Sequence, residues 1–260
     1  MKATAIIPAR YASSRLPGKP LICIKGKPLI QYVYERVCES AVDQVVVATD
    51  DARIASAVER FGGHVRLTGT HHRTGTERVA EVAAHLDAHI IVNVQGDEPL
   101  IEPHDIDRAV DPLRLDRSIP MTTLVTPLRN SREITNPHVV KVVIDRDGFA
   151  LYFSRSPIPY PKASLMAHNQ PWGRIEQLPP EAPLGTQTFW QHIGLYAFTK
   201  DFLLRLVAMP PGILEKEEGL EQLRVLEQGH KIKTVVTDST SIGIDTPEDV
   251  QRFTLLLESR

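Results

Sequence analysis

At 260 residues the chain is long enough for one large α/β domain, or for one domain with a small lobe. Hydrophobic residues at 42% and charged residues at 24% suit a water-soluble globular protein, and a net charge of −2 excludes a global basic field for nucleic acid. No apolar run approaches the ~18–20 residues that span a bilayer, no apolar leader opens the chain, and Cys23 and Cys38, lacking metal-ligand spacing, read as buried thiols of a reducing compartment. The expectation is a cytoplasmic protein with neither a membrane nor a nucleic-acid partner.

The first apolar run, residues 3–8, predicts a buried strand. From Pro28 onward, Leu29, Ile30, Val33 and Val37 form one apolar stripe, which predicts a helix ending near Ser40. Between the two lies RYASSRLPGK, residues 10–19, with Arg10, Arg15, Lys19, the hydroxyls of Ser13 and Ser14, and a flexible Gly18. This set suits a polyphosphate, because the cations neutralise charge and backbone amides near a helix start add donors. A solvated basic loop explains any single charge here, but less well the whole set placed just after a first strand.

Residues 44–49 form a β-branched run fit for a strand buried on both faces. A helix over 52–61 stops at Gly62-Gly63, and 65–68 reads as a third strand. Strand and helix alternating through short links predict a parallel, doubly wound sheet. Next, HRTGTER (72–78) sets Thr74, Gly75 and Thr76 ahead of a helix expected over 79–86, with Arg73 and Arg78 beside them. A hydroxyl N-cap needs only one of these residues, so capping and ligand contact both stay open.

Residues 88–95 are the strongest strand and end in Gly96-Asp97-Glu98-Pro99. Ligands of open α/β sheets bind beyond the carboxyl ends of the strands, where Asp97 beside cationic loops suits Mg²⁺ bridging phosphate oxygens. The alternative is a cap for a helix over 103–113. Strands at 121–126, 139–145 and 149–154 then follow without long helical spacers, so about 120–198 is expected to be a β-rich part of a single domain spanning 1–260. Arg155 and Lys162 flank SPIPYP (156–161), held extended by its prolines. Residues 163–188 have no periodicity and read as a lid or a surface insertion.

A strand over 189–198 puts His192 and Tyr196 on one parity, and His192 alone reads as a satisfied, partly buried histidine. Helices are expected over 200–207 and 217–227, the second burying Leu220, Leu223 and Leu226 and solvating its acids and Arg224. After a strand at 231–237, GIDTPED (243–249) leads to a terminal helix ending at Ser259. Asp245 reads there as a turn residue before a Thr246 cap and Pro247 at the first helical position. A magnesium site built on Asp97 would nevertheless want a second carboxylate.

Seven stretches in order resemble the 3-deoxy-manno-octulosonate cytidylyltransferases, also called CMP-KDO synthetases: IPARYASSRLPGKPL (7–21), TGTER (74–78), NVQGDEP (93–99), YFSRSPIP (152–159), HIGLY (192–196), LEQLR (220–224) and GIDTPED (243–249). The resemblance implies a Rossmann-like α/β nucleotidyltransferase fold with a mostly parallel central sheet, a small β-rich dimerisation part, and hence a homodimer. It implies transfer of CMP from CTP to the anomeric hydroxyl of KDO, with release of pyrophosphate, for lipopolysaccharide biosynthesis. Arg10, Ser13, Arg15 and Lys19 would hold the triphosphate, and Thr74, Gly75, Thr76 and Arg78 would surround the nucleotide. Asp97 and Asp245 would ligate Mg²⁺, and with Arg10 and Lys19 they would form the catalytic set. Gln95, Arg155, His192, Tyr196, Glu221 and Gln222 would line the sugar-acid site. Gln191 departs from the basic residue that more often precedes this histidine, and the 163–188 stretch looks longer than usual. The alternatives are a cytidylyltransferase for a related sugar acid (an 8-amino analogue of KDO or a sialic acid) and a non-catalytic nucleotide-sensing homologue. A P-loop phosphotransferase is disfavoured, since Lys19 and Lys27 are each followed by proline and no Gly-x4-Gly-Lys-[Ser/Thr] occurs.

Overall fold

The computed structural model describes residues 1–12, 16–128, 131–162, 189–239 and 243–258. The chain divides into two compact units, the first made of Met1–Ser118, Gly194–Ala208 and Ser239–Arg260, the second of Ile119–Ile193 and Met209–Asp238.

The first unit is built on β1 (Ala3–Ala9), whose side chains are almost all buried. On one side β1 pairs in parallel with β4 (Gln44–Thr49), which in turn pairs with β5 (Val65–Leu67). On the other side it pairs in parallel with β6 (Ile90–Asn93), and β6 is joined antiparallel by the last residues of β10 (Trp190–Thr199), with Tyr196 opposite Asn93. The strands expected at 44–49 and 88–95 thus become β4 and the shorter β6, interior strands of a mixed, mostly parallel sheet. Helices α1 (Leu29–Cys38), α2 (Ala52–Arg60) and α3 (Gly75–Ala84) connect these strands, and α4 (Pro103–Leu115) follows β6. Because β1, β4 and β6 run the same way, the loops after Ala9, Thr49 and Asn93 all leave from one edge, where an α/β sheet presents its ligand site. A short antiparallel hairpin, β2 (Cys23–Ile24) with β3 (Lys27–Pro28), turns through Lys25 and Gly26, both at positive φ (48° and 85°).

A smaller apolar cluster closes the unit beneath the cationic loop. Ile24, Leu29, Ile244 and Phe253 are buried, with Leu16, Ile22, Tyr32 and Leu100 packed on them. Phe253 comes from α9 (Pro247–Glu258), and its ring meets Tyr32 edge-on at 5.3 Å. Burying such side chains is worth ~1.5–3 kcal/mol each. The cluster therefore fastens the segment before α9 to the segment after Lys19, two stretches over 200 residues apart that each carry a charged group of the site described below. Residues 200–208, α6 (Lys200–Ala208), complete this unit.

The second unit is β-rich. β7 (Met121–Pro127) pairs in parallel with β11 (Lys233–Val236), while β8 (Lys141–Ile144) and β9 (Ala150–Ser154) form an antiparallel hairpin. The first residues of β10 lie antiparallel to β8, Trp190 opposite Val142, and Phe149 bridges back antiparallel to Lys233. The hairpin turn is fixed by Asp145, whose Oδ1 accepts from the amides of Asp147 (2.9 Å) and Phe149 (2.7 Å), with Gly148 at φ 77°. The short helices α5 (Ser131–Thr135), α7 (Ile213–Glu218) and α8 (Leu223–Glu227) belong here too.

Several sequence expectations change. α3 begins at Gly75, not near 79, because Thr74 takes the N-cap and its hydroxyl accepts from the Glu77 amide. The helix expected over 217–227 is two helices, parted at Gly219, whose φ of 62° ends α7 in a left-handed cap. Of its charged residues Glu217 and Glu227 are exposed, as expected of a solvated face, but Arg224 is buried. Arg224 donates to both carboxylate oxygens of Glu215 (2.5 and 2.7 Å), and Glu227 accepts from the first amides of α7. Both cysteines are exposed, not buried: Cys23 faces outward opposite buried Ile24 on its strand, and Cys38 lies beyond the buried stripe that ends at Val37. Among the described residues no helix is long and apolar enough to cross a membrane.

Candidate active site

The cationic loop folds back on itself. Gly18, at φ 70°, donates its amide to the Tyr11 carbonyl (2.9 Å), and a Cβ there would press on the Tyr11 ring at 3.1 Å. The Arg53 guanidinium covers that ring at 3.4 Å from its centroid. A single 3₁₀ turn, Lys19–Leu21, starts directly at the closure, so Lys19 leaves the loop at a fixed place.

Lys19 Nζ lies 2.6 Å from Asp97 Oδ2 and 3.0 Å from Asp245 Oδ1. Local structure explains why each carboxylate is available for this contact. The N-cap position of α4 is Glu102, so Asp97 is not that helix's cap. Its carbonyl instead accepts the Ile244 amide at 2.8 Å, which ties the loop after β6 to the residue before Asp245. Ahead of α9, Thr246 Oγ accepts from the Asp249 amide, while Asp249 Oδ2 accepts from the amides of Asp245 and Thr246. This reciprocal capping uses Thr246 and Asp249 and turns the Asp245 carboxylate toward Lys19.

Around this ion triad lies a cleft of about 390 Å³, lined by Pro8, Ala9, Arg10, Lys19, Pro20, His72, Arg73, Thr74, Gly75, Arg78, Gln95, Gly96, Asp97 and Asp245. Such a volume is in the range of small-ligand sites. Two glycines allow the backbones to close in: a Cβ on Gly96 would stand 2.8 Å from the Pro8 carbonyl, and one on Gly75 would stand 3.3 Å from the Pro8 ring. Arg78 is almost fully buried, gives one guanidinium nitrogen to Asp50 (2.7 Å) and another to the Thr68 hydroxyl, and so anchors the 74–78 turn. Thr76 is buried, and its hydroxyl accepts from Asn93 Nδ2 at 3.3 Å.

The structure therefore gathers Arg10, Lys19, Thr74, Gly75, Arg78, Gln95, Asp97 and Asp245 in one cleft within the first unit. Ser13 and Arg15 lie outside the described residues. His72 and Gly96 line the cleft without having been singled out. His72 carried a weak signal in its place at the head of the HRTGTER stretch.

The residues expected at a sugar-acid site fall in both units. In the first, Gln95 Nε2 donates to the Gly194 carbonyl (3.3 Å), and Tyr196 lies on β10. In the second, Arg155 donates to the carbonyls of Glu218 (2.7 Å), Pro137 (2.9 Å) and Gly219 (3.4 Å), while Gln222 is buried at the head of α8. His192 Nε2 lies 2.9 Å from Thr123 Oγ, with the ring edge-on to Phe153. Desolvation by burial pushes its imidazole down to about 3, so the ring is neutral at physiological pH.

An α/β sheet whose strand ends carry a cationic loop, a helix N-terminus and two convergent carboxylates defines a nucleotide-handling protein. The family model described as cytidylyltransferase matches residues 4–232. The chain is 55% identical over 253 residues to a 3-deoxy-manno-octulosonate cytidylyltransferase of Syntrophotalea carbinolica, covering 97% of both chains. It is 51% identical over 262 residues to the enzyme of that name from Geotalea daltonii, covering all of both. A solved structure of a CMP:2-keto-3-deoxy-manno-octonic acid synthetase complexed with CTP is 40% identical and superposes with a TM-score of 0.88, over 100% of this chain and 99% of that one. The chain belongs to the cytidylyltransferase family and, within it, to the 3-deoxy-manno-octulosonate cytidylyltransferases.

Proposed function

We propose that the chain transfers CMP from CTP to the anomeric hydroxyl of KDO and releases pyrophosphate, the reaction that its relatives' names describe. The observation that carries this reading is the convergence of Asp97 and Asp245 on one cation, the Lys19 ammonium, in a cleft that Arg10, Thr74 and Arg78 also line.

Transfer of this kind depends on positioning and on neutralising charge. The KDO hydroxyl attacks the α-phosphorus in line, its proton passes to solvent, and the bond to the bridging oxygen breaks so that pyrophosphate departs; no covalent enzyme intermediate is needed. Arg10 and Lys19 neutralise the departing oxygens on the side of the cationic loop. The N-terminus of α3, opening at Thr74 and Gly75, adds the positive end of its dipole. Arg78 holds that turn through Asp50 and Thr68.

The donor set fits Mg²⁺, since two partly exposed carboxylates share one cation and can accept a hard ion. Asp97 and Asp245 would hold Mg²⁺, which would supply charge neutralisation at the reacting phosphates. Gln95, Arg155, His192, Tyr196, Glu221 and Gln222 are assigned to the sugar acid, with neutral His192 offering a hydrogen bond in place of a charge. We place the reaction in the cytoplasm, where it serves lipopolysaccharide assembly, and in a homodimer. Light scattering would test the homodimer.

The direct test is pyrophosphate release from CTP and Mg²⁺ across a panel of sugar acids. KDO is expected to give the fastest release. Release with an 8-amino analogue or a sialic acid but none with KDO would reassign the substrate, and no release with any acid would favour a nucleotide sensor.

A further inference from the structure

Just outside the ion triad, the segment before α3 holds a second group of ligating side chains. The ligand atoms of His71, His72 and Glu81 lie within 4.8 Å of one another. Their placement follows from local geometry. Glu81 is two turns into α3, and helical side chains lean toward the N-terminus, so its carboxylate reaches back to the loop that precedes the helix. There the Gly69 amide donates to both of its oxygens (3.3 and 3.1 Å), and His72 Nε2 contacts Oε2.

Gly69 is also what admits the third member. A Cβ at this position would stand 2.5 Å from His71 Nδ1, so only glycine lets that imidazole lie against the backbone beside the carboxylate. The two imidazoles are 4.4 Å apart, centroid to centroid.

We propose that His71, His72 and Glu81 form a binding site for a borderline divalent metal of the zinc class, distinct from the carboxylate pair at Asp97 and Asp245. Two imidazoles and one carboxylate suit Zn²⁺, Co²⁺ or Ni²⁺ and are poorly matched to Mg²⁺, which prefers oxygen ligands. Tetrahedral coordination places ligand atoms roughly 3.3 Å apart at the usual bond lengths, which side-chain rotation from 4.8 Å can reach. The Gly69 amide orients the carboxylate, as an outer-shell donor does at a metal centre. A bound ion would also fix the loop that brings His72 and Arg73 into the nucleotide cleft.

The experiment is titration of the metal-free, full-length protein with Zn²⁺ and, separately, Co²⁺, in the presence of millimolar Mg²⁺. One Zn²⁺ per chain is expected at this site, with Co²⁺ giving the visible absorption of a low-coordinate nitrogen and oxygen site. His71→Asn and Glu81→Gln should each weaken binding at least ~10-fold and abolish the Co²⁺ band, while the transferase rate without zinc stays near wild type. Because both cysteines are exposed, a Cys23→Ser, Cys38→Ser variant should retain the site. Unchanged affinity in both His71→Asn and Glu81→Gln, or binding lost only in the cysteine variant, would overturn the proposal. Thermal unfolding of the metal-free variants separates loss of binding from loss of fold.

Discussion

The ion triad of the first unit and the charged network of the second are built from similar residues to different ends. Lys19, Asp97 and Asp245 meet at the wall of a cleft, each partly exposed, with side-chain accessibilities of 13%, 30% and 37%. Arg224 is more deeply buried, at 5%, while Glu215 at 13% matches Lys19, and Arg224 and Glu215 satisfy one another in a bidentate pair. A charge that its own chain satisfies completely holds structure, whereas carboxylates sharing one ammonium at a cleft can exchange it for an incoming ligand. Charge alone does not mark a site; how fully each charge is satisfied does.

That contrast can be broken by substitution. The largest effect is expected for Asp97→Asn, with turnover down ~10³-fold, equivalent to ~4 kcal/mol, and an unfolding midpoint near wild type. Arg224→Met should do the reverse. It leaves Glu215 buried without its partner and should cost ~3–5 kcal/mol in urea unfolding, with turnover per folded molecule little changed. Lys19→Met should lower turnover ~10²-fold, since one cation is lost where charge develops, and circular dichroism should show an intact fold.

His192 gives a pH test. Its imidazole is neutral in the fold, with a pKa pushed down to about 3, against about 6.5 when unfolded. The unfolded chain therefore takes up a proton as pH falls through about 6.5 while the folded chain does not, so stability present above that pH is lost below it. Between pH 7 and pH 5 the loss from this group should be about 2 kcal/mol, and His192→Gln should remove that portion of the pH dependence. The smallest effect is expected for Thr246→Ala, about 1 kcal/mol of stability from the lost cap of α9. It should be accompanied by a measurable fall in turnover, because the same capping orients Asp245.

Much of this was legible in the sequence, and the exceptions have physical causes. The run at 44–49 coincides with β4 because β-branched residues buried on both faces leave little choice of conformation. Arg10, Lys19 and Asp97 come to one cleft because both stretches follow strands of one parallel sheet. Asp245 was ambiguous because its local sequence is equally a helix entry; only the Thr246–Asp249 capping shows that its carboxylate is not needed there. The start of α3 was missed because Gly75 and Thr76 are poor helix formers that a Thr74 cap nonetheless recruits. The 217–227 stretch looked continuous because its leucine stripe hides the left-handed Gly219. Both cysteines were misplaced because apolar neighbours in sequence do not fix which way a side chain faces. The His71, His72 and Glu81 group was invisible because it joins a loop to the second turn of the following helix.

The measurement that bears most directly on the shared cation is pyrophosphate release from CTP and KDO by Asp97→Asn, Asp245→Asn and the double variant. If the two carboxylates act on one cation, each single substitution should cost nearly as much as both together. Losses that simply multiply in the double variant, or near wild-type turnover in either single variant, would show that the two carboxylates do not work as one site.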